Sequence, residues 1–276
     1  MSGQWADVIH NVLALRAKPE GGSEQVSQAI MGDPVQVLEE KDGYARVQCQ
    51  DGYDGWALRS QLRLCAKADC FVHRYEKEDI ARVTAPFADV CSEDGELITR
   101  IVFGTRVHVA ETLFGNAVGG QSLTAFLPNG TSGRLSKSAL GPGVDRGSVA
   151  SLAAIARQFL GTPYLWGGTT PFGFDCSGLV QRIYSTIGVT LPRDAYQQAV
   201  SPLGKKVPEG APLRSGDLIF FLGERDPRKR GITHTGMMID AARMIHAHGK
   251  SGVTIEALHG EEITAAYTYR GAWRLN

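Results

Sequence analysis

The chain has 276 residues, 43% of them hydrophobic and 21% charged, a balance that fits a globular protein large enough for two or three domains. Lysine plus arginine and aspartate plus glutamate both number 29, so the chain lacks the cationic excess that a whole-protein nucleic-acid or membrane-surface binder needs. No window approaches the ~18 consecutive apolar residues of a membrane span. Met1 to Asp7 hold no basic segment leading into an apolar run, so a cytoplasmic protein is expected. The cysteines are Cys49, Cys65, Cys70, Cys91 and Cys176, an odd and scattered set that predicts reduced thiols rather than a disulfide framework.

Residues 8–64 read as short strands separated by Gly and Asp turns, the pattern of a small barrel. Val35 and Val37 alternate after Gly32-Asp33-Pro34, and Tyr44 to Gln48 follow the Asp42-Gly43 turn. Residues 81–140 repeat the plan. Gly104-Thr105-Arg106-Val107-His108-Val109 echoes Gly32-Asp33-Pro34-Val35-Gln36-Val37, and the run from Asn129-Gly130 to Leu140 echoes the run from Asp51-Gly52 to Leu62. Two units are too few for a solenoid and predict two copies of one small domain. Both copies resemble bacterial SH3-like domains, through the Leu15-Arg16-Ala17-Lys18-Pro19 opening and the Gly52-Tyr53-Asp54-Gly55-Trp56 close. The second copy lacks the tryptophan. The domains are expected at 1–66, 67–143 and 144–276, with Gly141-Pro142-Gly143 as the linker.

Residues 148–160 predict a helix, with Ser148 as N-cap and Leu152, Ile155, Ala156, Phe159 and Leu160 on one face. A Gly-rich stretch, 167–174, precedes Cys176, and Leu179, Val180, Ile183, Tyr184 and Ile187 follow at helical spacing. Cys176 therefore opens a helix that runs to about Gly188. Unpaired amides and the positive dipole end are expected to favour its thiolate; the alternative is an inert apolar residue at the head of a buried helix. Asp194 and Gln197 have capping-box spacing, which starts a short helix at Ala195. A turn leading into a buried strand is predicted over 216–221, and further strands at 235–239, 244–247, 253–258 and 270–275, with 224–231 an exposed loop. Helices followed by a run of strands make this part α+β.

A cysteine nucleophile needs a base, and the base needs an orienting group. A hairpin that pairs Ile239 with Met244 makes His234 and His246 diagonal neighbours; the alternative is two unrelated histidines. His246 and His248 share one strand face, as metal ligands do, with Cys176 as a conceivable third. No carboxylate or second cysteine stands at ligand spacing along the chain, so neither a metal nor any other cofactor is expected.

Tyr164-Leu165-Trp166-Gly167-Gly168, Asp175-Cys176-Ser177-Gly178-Leu179-Val180, Leu191-Pro192-Arg193, Ser215 to Phe221, His234 to Ile239 and Met244-Ile245-His246-Ala247 occur in this order. Together they resemble the NlpC family of papain-like cysteine peptidases over about residues 150–275. The resemblance implies a papain-like α+β catalytic domain behind two all-β SH3-like barrels, with Cys176 as nucleophile, His234 as base and His246 as third member. It implies cleavage of murein peptides between γ-D-glutamate and a diamino acid (meso-diaminopimelate or lysine). Thr235 and Met237-Met238 depart from the valine and aromatic more usual there. Members that carry two SH3-like domains recycle released murein peptides, and the resemblance then implies Glu24, Tyr53, Asp175 and Ser177, with Tyr164 of the first motif, as substrate-binding residues. Asp194 and Ala195 are expected to line the site as well, because the start of the helix at Ala195 offers backbone amides to substrate carboxylates. A monomer acting on peptides with a free N-terminal L-Ala is expected. A cell-wall-binding protein without catalysis, and an amidase or acyltransferase on the same fold, are the competing readings.

Overall fold

A computed structural model describes residues 4–75, 80–109, 121–142, 149–223 and 231–275. It divides into two compact units, Met1–Asp145 and Arg146–Asn276. The helix cap expected at Ser148 and all but Gly231 of the loop expected at 224–231 lie outside the described residues.

The amino-terminal unit holds two sheets. The first is built from β1 (Gln4–Val8), β2 (Val12–Arg16), β3 (Gln25–Ile30), β4 (Pro34–Lys41), β5 (Tyr44–Gln48), β6 (Asp54–Leu58) and β7 (Leu62–Cys65), paired in the order β3-β2-β6-β5-β4-β1-β7. A short helix, α1 (Phe71–Arg74), follows. The second sheet comprises β8 (Ile80–Val83), β9 (Phe87–Cys91), β10 (Leu97–Val102), β11 (Arg106–Val109), β12 (Ser122–Phe126), β13 (Ser132–Ser136) and β14 (Leu140–Pro142), in the order β10-β9-β13-β12-β11-β8-β14. Strand for strand, the two orders are the same.

The shared turns carry that repeat. Gly32 and Gly104 have φ of 84° and 90°, and Gly52 and Gly130 have 81° and 91°. These are left-handed positions that only glycine adopts without strain. Tyr53 N–H donates to Asp51 Oδ1 and Thr131 N–H to Asn129 Oδ1, both at 3.0 Å. Asp and Asn therefore do one job, accepting the amide two residues on. Alternating residues fill each core, among them Leu13, Leu15, Val35 and Val47 in the first sheet and Val90, Val107, Leu123 and Leu135 in the second.

Two expectations need correction. Barrels were expected, but the end strands β3 and β7 do not pair with each other among the described residues; β7 instead runs into the 3₁₀ turn Lys67–Asp69. Gly141 and Pro142 were read as linker, yet they complete β14 against Arg82 and Ala81. β14 ends its sheet, and an edge strand tolerates proline because one side of it needs no ladder donor.

The carboxy-terminal unit begins with α2 (Val149–Arg157), a two-residue ladder of β15 (Thr169–Thr170) and β16 (Gly173–Phe174), α3 (Cys176–Ser185) and α4 (Ala195–Gln198). An antiparallel sheet follows, from β17 (Gly204–Lys206), β18 (Leu218–Gly223), β19 (His234–Met238), β20 (Arg243–His248), β21 (Gly252–Ala257) and, after α5 (Glu261–Ala266), β22 (Tyr267–Leu275). Its order is β17-β22-β18-β19-β20-β21. β19 is buried along its whole length, and α3 packs against β19 and β20 through a face that includes Leu179, Val180 and Ile183. The sheet thus presents β19 and β20 to the first turn of α3.

Candidate active site

Cys176 opens α3, as its sequence context predicts. The loop before it is pressed onto the helix. A Cβ on Gly178 would come within 2.1 Å of the Gly168 carbonyl oxygen, and one on Gly168 within 2.3 Å of that of Gly173, so both positions must be glycine. Asp175 is the N-cap. Its Oδ1 accepts from Gly178 N–H at 2.7 Å and from the Ser177 hydroxyl at 3.2 Å, and its Oδ2 accepts from Gly167 N–H at 2.9 Å.

Arg193 closes this network from below. Its Nη1 donates to Asp175 Oδ1 and to Ser177 Oγ, each at 3.0 Å, and its Nη2 donates to Asp175 Oδ2. Arg193 is 1% exposed, a cation buried against a fork of carboxylate oxygens. Sequence reasoning used Arg193 only as part of a motif and missed this pairing, because the partner lies 18 residues away.

The thiol itself is not acidified. Burial pushes it up to about 12, the neighbouring Asp175 carboxylate adds to that, and the Thr235 and Ser177 amides only partly offset them. This direction runs against the thiolate expected from the helix start: burial is the leading cause, and the Asp175 carboxylate that caps α3 adds to it.

His234 and His246 come together as expected. His234 Nε2 and His246 Nδ1 are 2.8 Å apart, and both side chains are buried. The hairpin pairs Met238 with Met244 rather than Ile239, one residue off the expected register. That register sets Gly236 opposite His246, where a Cβ would lie 3.0 Å from the His246 Cβ. The missing side chain is what lets His246 lie diagonally against His234. Burial, then His246, holds the His234 imidazole well below its ordinary value. His234 thus begins the strand whose next amide, Thr235 N–H, bonds the sulfur.

Those features carry a family signature. The NlpC/P60 family profile matches residues 161–272, and a bacterial dipeptidyl-peptidase SH3 domain profile matches residues 15–62. The chain carries an NlpC/P60 cysteine-peptidase domain over residues 161–272. It is 28% identical over 245 residues to a γ-D-glutamyl-L-lysine dipeptidyl-peptidase of Bacillus cereus, covering 80% of this chain and 66% of that one. The Bacillus subtilis enzyme of that name is also 28% identical, over 84% of this chain and 75% of its own. A crystal structure of an NlpC/P60 family protein from Bacillus cereus superposes with a TM-score of 0.81 at 25% identity, covering 98% of this chain and 99% of that chain.

Around the peptidase's histidines stand residues that sequence reasoning missed. The Tyr267 ring stacks on His234 at 4.3 Å and 14°, and burial, then Cys176, raises its hydroxyl. Tyr164 is raised by the same causes in the same order. Glu256, on β21, brings Oε1 to 3.4 Å from His248 Nε2 and 3.7 Å from His246 Nε2. A carboxylate at ligand distance from the two imidazoles does exist, supplied by the adjacent strand.

The remaining predicted site residues fall as follows. Asp194 caps α4, with Gln197 Oε1 accepting from Asp194 N–H at 3.1 Å, and Ala195 is buried as its first residue. Gln198 ties α4 to α3 through the carbonyls of Ser177 and Pro192. Glu24 is exposed beside β3 and Tyr53 is half-buried in the turn before β6; both belong to the amino-terminal unit.

Proposed function

We propose that the peptidase hydrolyses the γ-D-glutamyl–L-diamino acid bond of murein peptides that carry a free N-terminal L-Ala, through a thioester on Cys176. The His234–His246 hydrogen bond beside the thiol carries this reading. Cys176 is the single cysteine within residues 161–272, the span of a cysteine-peptidase family. Because His234 Nε2 is engaged by His246, its Nδ1 is the atom left to take the thiol proton. Burial raises the thiol and lowers the imidazole, and His234 takes the thiol proton so that the sulfur can attack the carbonyl. The sulfur forms the thioester, the proton passes from His234 to the leaving amine, and water admitted by the same base releases the acyl group.

The substrate class is supported by the names of the relatives, two of them γ-D-glutamyl-L-lysine dipeptidyl-peptidases. A dipeptidyl-peptidase cuts two residues in from a free amino terminus. An ammonium offers three donors and no acceptor, so its recognition needs carboxylate or hydroxyl acceptors. Acylating it leaves those acceptors unpaired, which costs on the order of a hundredfold or more in selectivity. Glu24 and Tyr53 are the proposed acceptors of the amino-terminal unit. Tyr164, Ser177, Asp194 and Ala195 are the proposed substrate contacts of the catalytic unit. There Asp175, already accepting from Gly167, Gly178, Ser177 and Arg193, holds the head of α3 in place. The second sheet is proposed as a second SH3-like copy, on the strength of the shared strand order. The test compares L-Ala-γ-D-Glu-diaminopimelate and its lysine counterpart with their N-acetyl forms. Hydrolysis of the free peptides at about a hundredfold higher kcat/KM is expected; equal rates on free and acetylated peptides would overturn the amine requirement.

A further inference from the structure

The hydrogen-bonded histidine pair is one half of a longer side-chain row. β20 sends His246 and His248 to one face, where their rings stack in parallel at 5.0 Å and 4°. The register of β20 with β21 pairs Met244 with Glu256 and His246 with Thr254, so Glu256 shares that face. Both outer imidazole nitrogens, His246 Nε2 and His248 Nε2, are buried without a hydrogen-bond partner among the described residues. Both face the same carboxylate oxygen, at 3.7 and 3.4 Å, and the three ligand atoms all lie within 4.8 Å of one another.

We propose that His246, His248 and Glu256 form a binding site for one zinc-class divalent ion, and that filling it switches the peptidase off. Two imidazoles and a carboxylate are a zinc donor set that leaves the fourth position to water. Tetrahedral zinc with bonds of about 2.0–2.2 Å sets its ligand atoms roughly 3.3–3.6 Å apart. The two nitrogen-to-oxygen separations already fall close to that span. Buried imidazole nitrogens without partners meet a carboxylate too far away for a good hydrogen bond, and a cation between them satisfies all three. His246 is held at its other nitrogen by His234, the kind of second contact that fixes a metal-binding imidazole.

The switch follows from counting protons, and it rests on the proposed role of His234 as base. In the working state His234 carries its proton on Nε2 and donates it to His246 Nδ1, and His246 carries its own on Nε2. A metal ion on His246 Nε2 displaces that proton to Nδ1. His246 Nδ1–H must then donate to His234 Nε2, which moves the His234 proton to Nδ1. Two protons are present before and after, but the nitrogen that should accept the thiol proton is now occupied. The metal never touches the thiol.

Zinc alone, titrated into the untagged full chain by calorimetry, tests the site apart from the chemistry. The wild type and Cys176→Ala should each bind one zinc with equal affinity, while His248→Ala and Glu256→Gln should each weaken binding at least tenfold. Without metal, His248→Ala should turn over the tripeptide within about twofold of wild type, and its zinc inhibition should shift by the same factor as its binding. Glu256→Gln serves if His248→Ala does not fold. No zinc binding by the wild type would overturn the site. Binding lost in Cys176→Ala but kept in His248→Ala would assign the metal to the thiol and overturn it as well. Binding that depends on His248 without any inhibition would overturn the switch and count against the role given to His234 and His246, leaving Cys176 untouched.

Discussion

Two buried cysteines, Cys176 and Cys70, sit in contrasting surroundings. Cys70 is fully buried at the start of α1, with its Sγ 2.7 Å from that of Cys65 and the buried Asp7 carboxylate close by. Burial drives its thiol up, and the contact with Cys65 adds to this. Cys176, at the start of a longer helix, is raised by the same leading cause, with a carboxylate next in line. Neither thiol is a poised thiolate. What separates them is the neighbourhood: only Cys176 lies against a strand that carries a buried histidine hydrogen-bonded to a second one. In the proposed mechanism the site is set apart by its histidine pair more than by its thiol, which burial raises in both places.

Removing the acceptor should give the largest effect. His234→Ala should lower kcat/KM by about two to four orders of magnitude, the usual share of a general base, while Cys70→Ala leaves it within about twofold. Comparable losses in the two variants, measured on the free tripeptide, would erase the distinction. His246→Ala should approach the His234 variant, with His248→Ala near wild type.

Next in size is the buried Arg193–Asp175 pair. Arg193→Ala leaves a buried carboxylate without its cation, which costs about 3–5 kcal/mol. Urea denaturation should show a midpoint lowered accordingly, and a loss below about 1 kcal/mol would mean that the pair is solvated. Gly236→Ala pushes a methyl against the His246 Cβ, an overpacking worth about 1–3 kcal/mol. It should cost activity out of proportion to stability, because the methyl meets both the His246 Cβ and the Ile245 carbonyl that precedes it. The smallest effect concerns pH. With Cys176 held near 12, iodoacetamide alkylation of the free peptidase should keep rising beyond about pH 9. A plateau between about pH 6 and 8 would reveal a preformed thiolate and contradict the raised thiol.

Local rules made much of this legible. Gly32, Gly104, Gly52 and Gly130 announced the repeated turns, Leu179 to Tyr184 announced α3, and Asp194 with Gln197 announced α4. Short or one-sided elements escaped. β17 is three residues at a sheet edge, and α5 buries only Ile263, so neither has a period to read. The hairpin register slipped by one because Asp240 accepts the amides of Ala242 and Arg243 and tightens the turn, a choice made by one side chain. Arg193, Glu256 and Tyr267 were invisible as partners. Their contacts join separate elements, which residue spacing does not encode.

The central claim is that Cys176 and His234 together cut a γ-D-glutamyl bond. Mass spectrometry of L-Ala-γ-D-Glu-diaminopimelate, incubated with the wild type and with Cys176→Ala of demonstrated native fold, tests it most directly. Release of L-Ala-D-Glu by the wild type and none above background by the variant is the predicted result. Substantial release by Cys176→Ala, or none by the wild type, would contradict it.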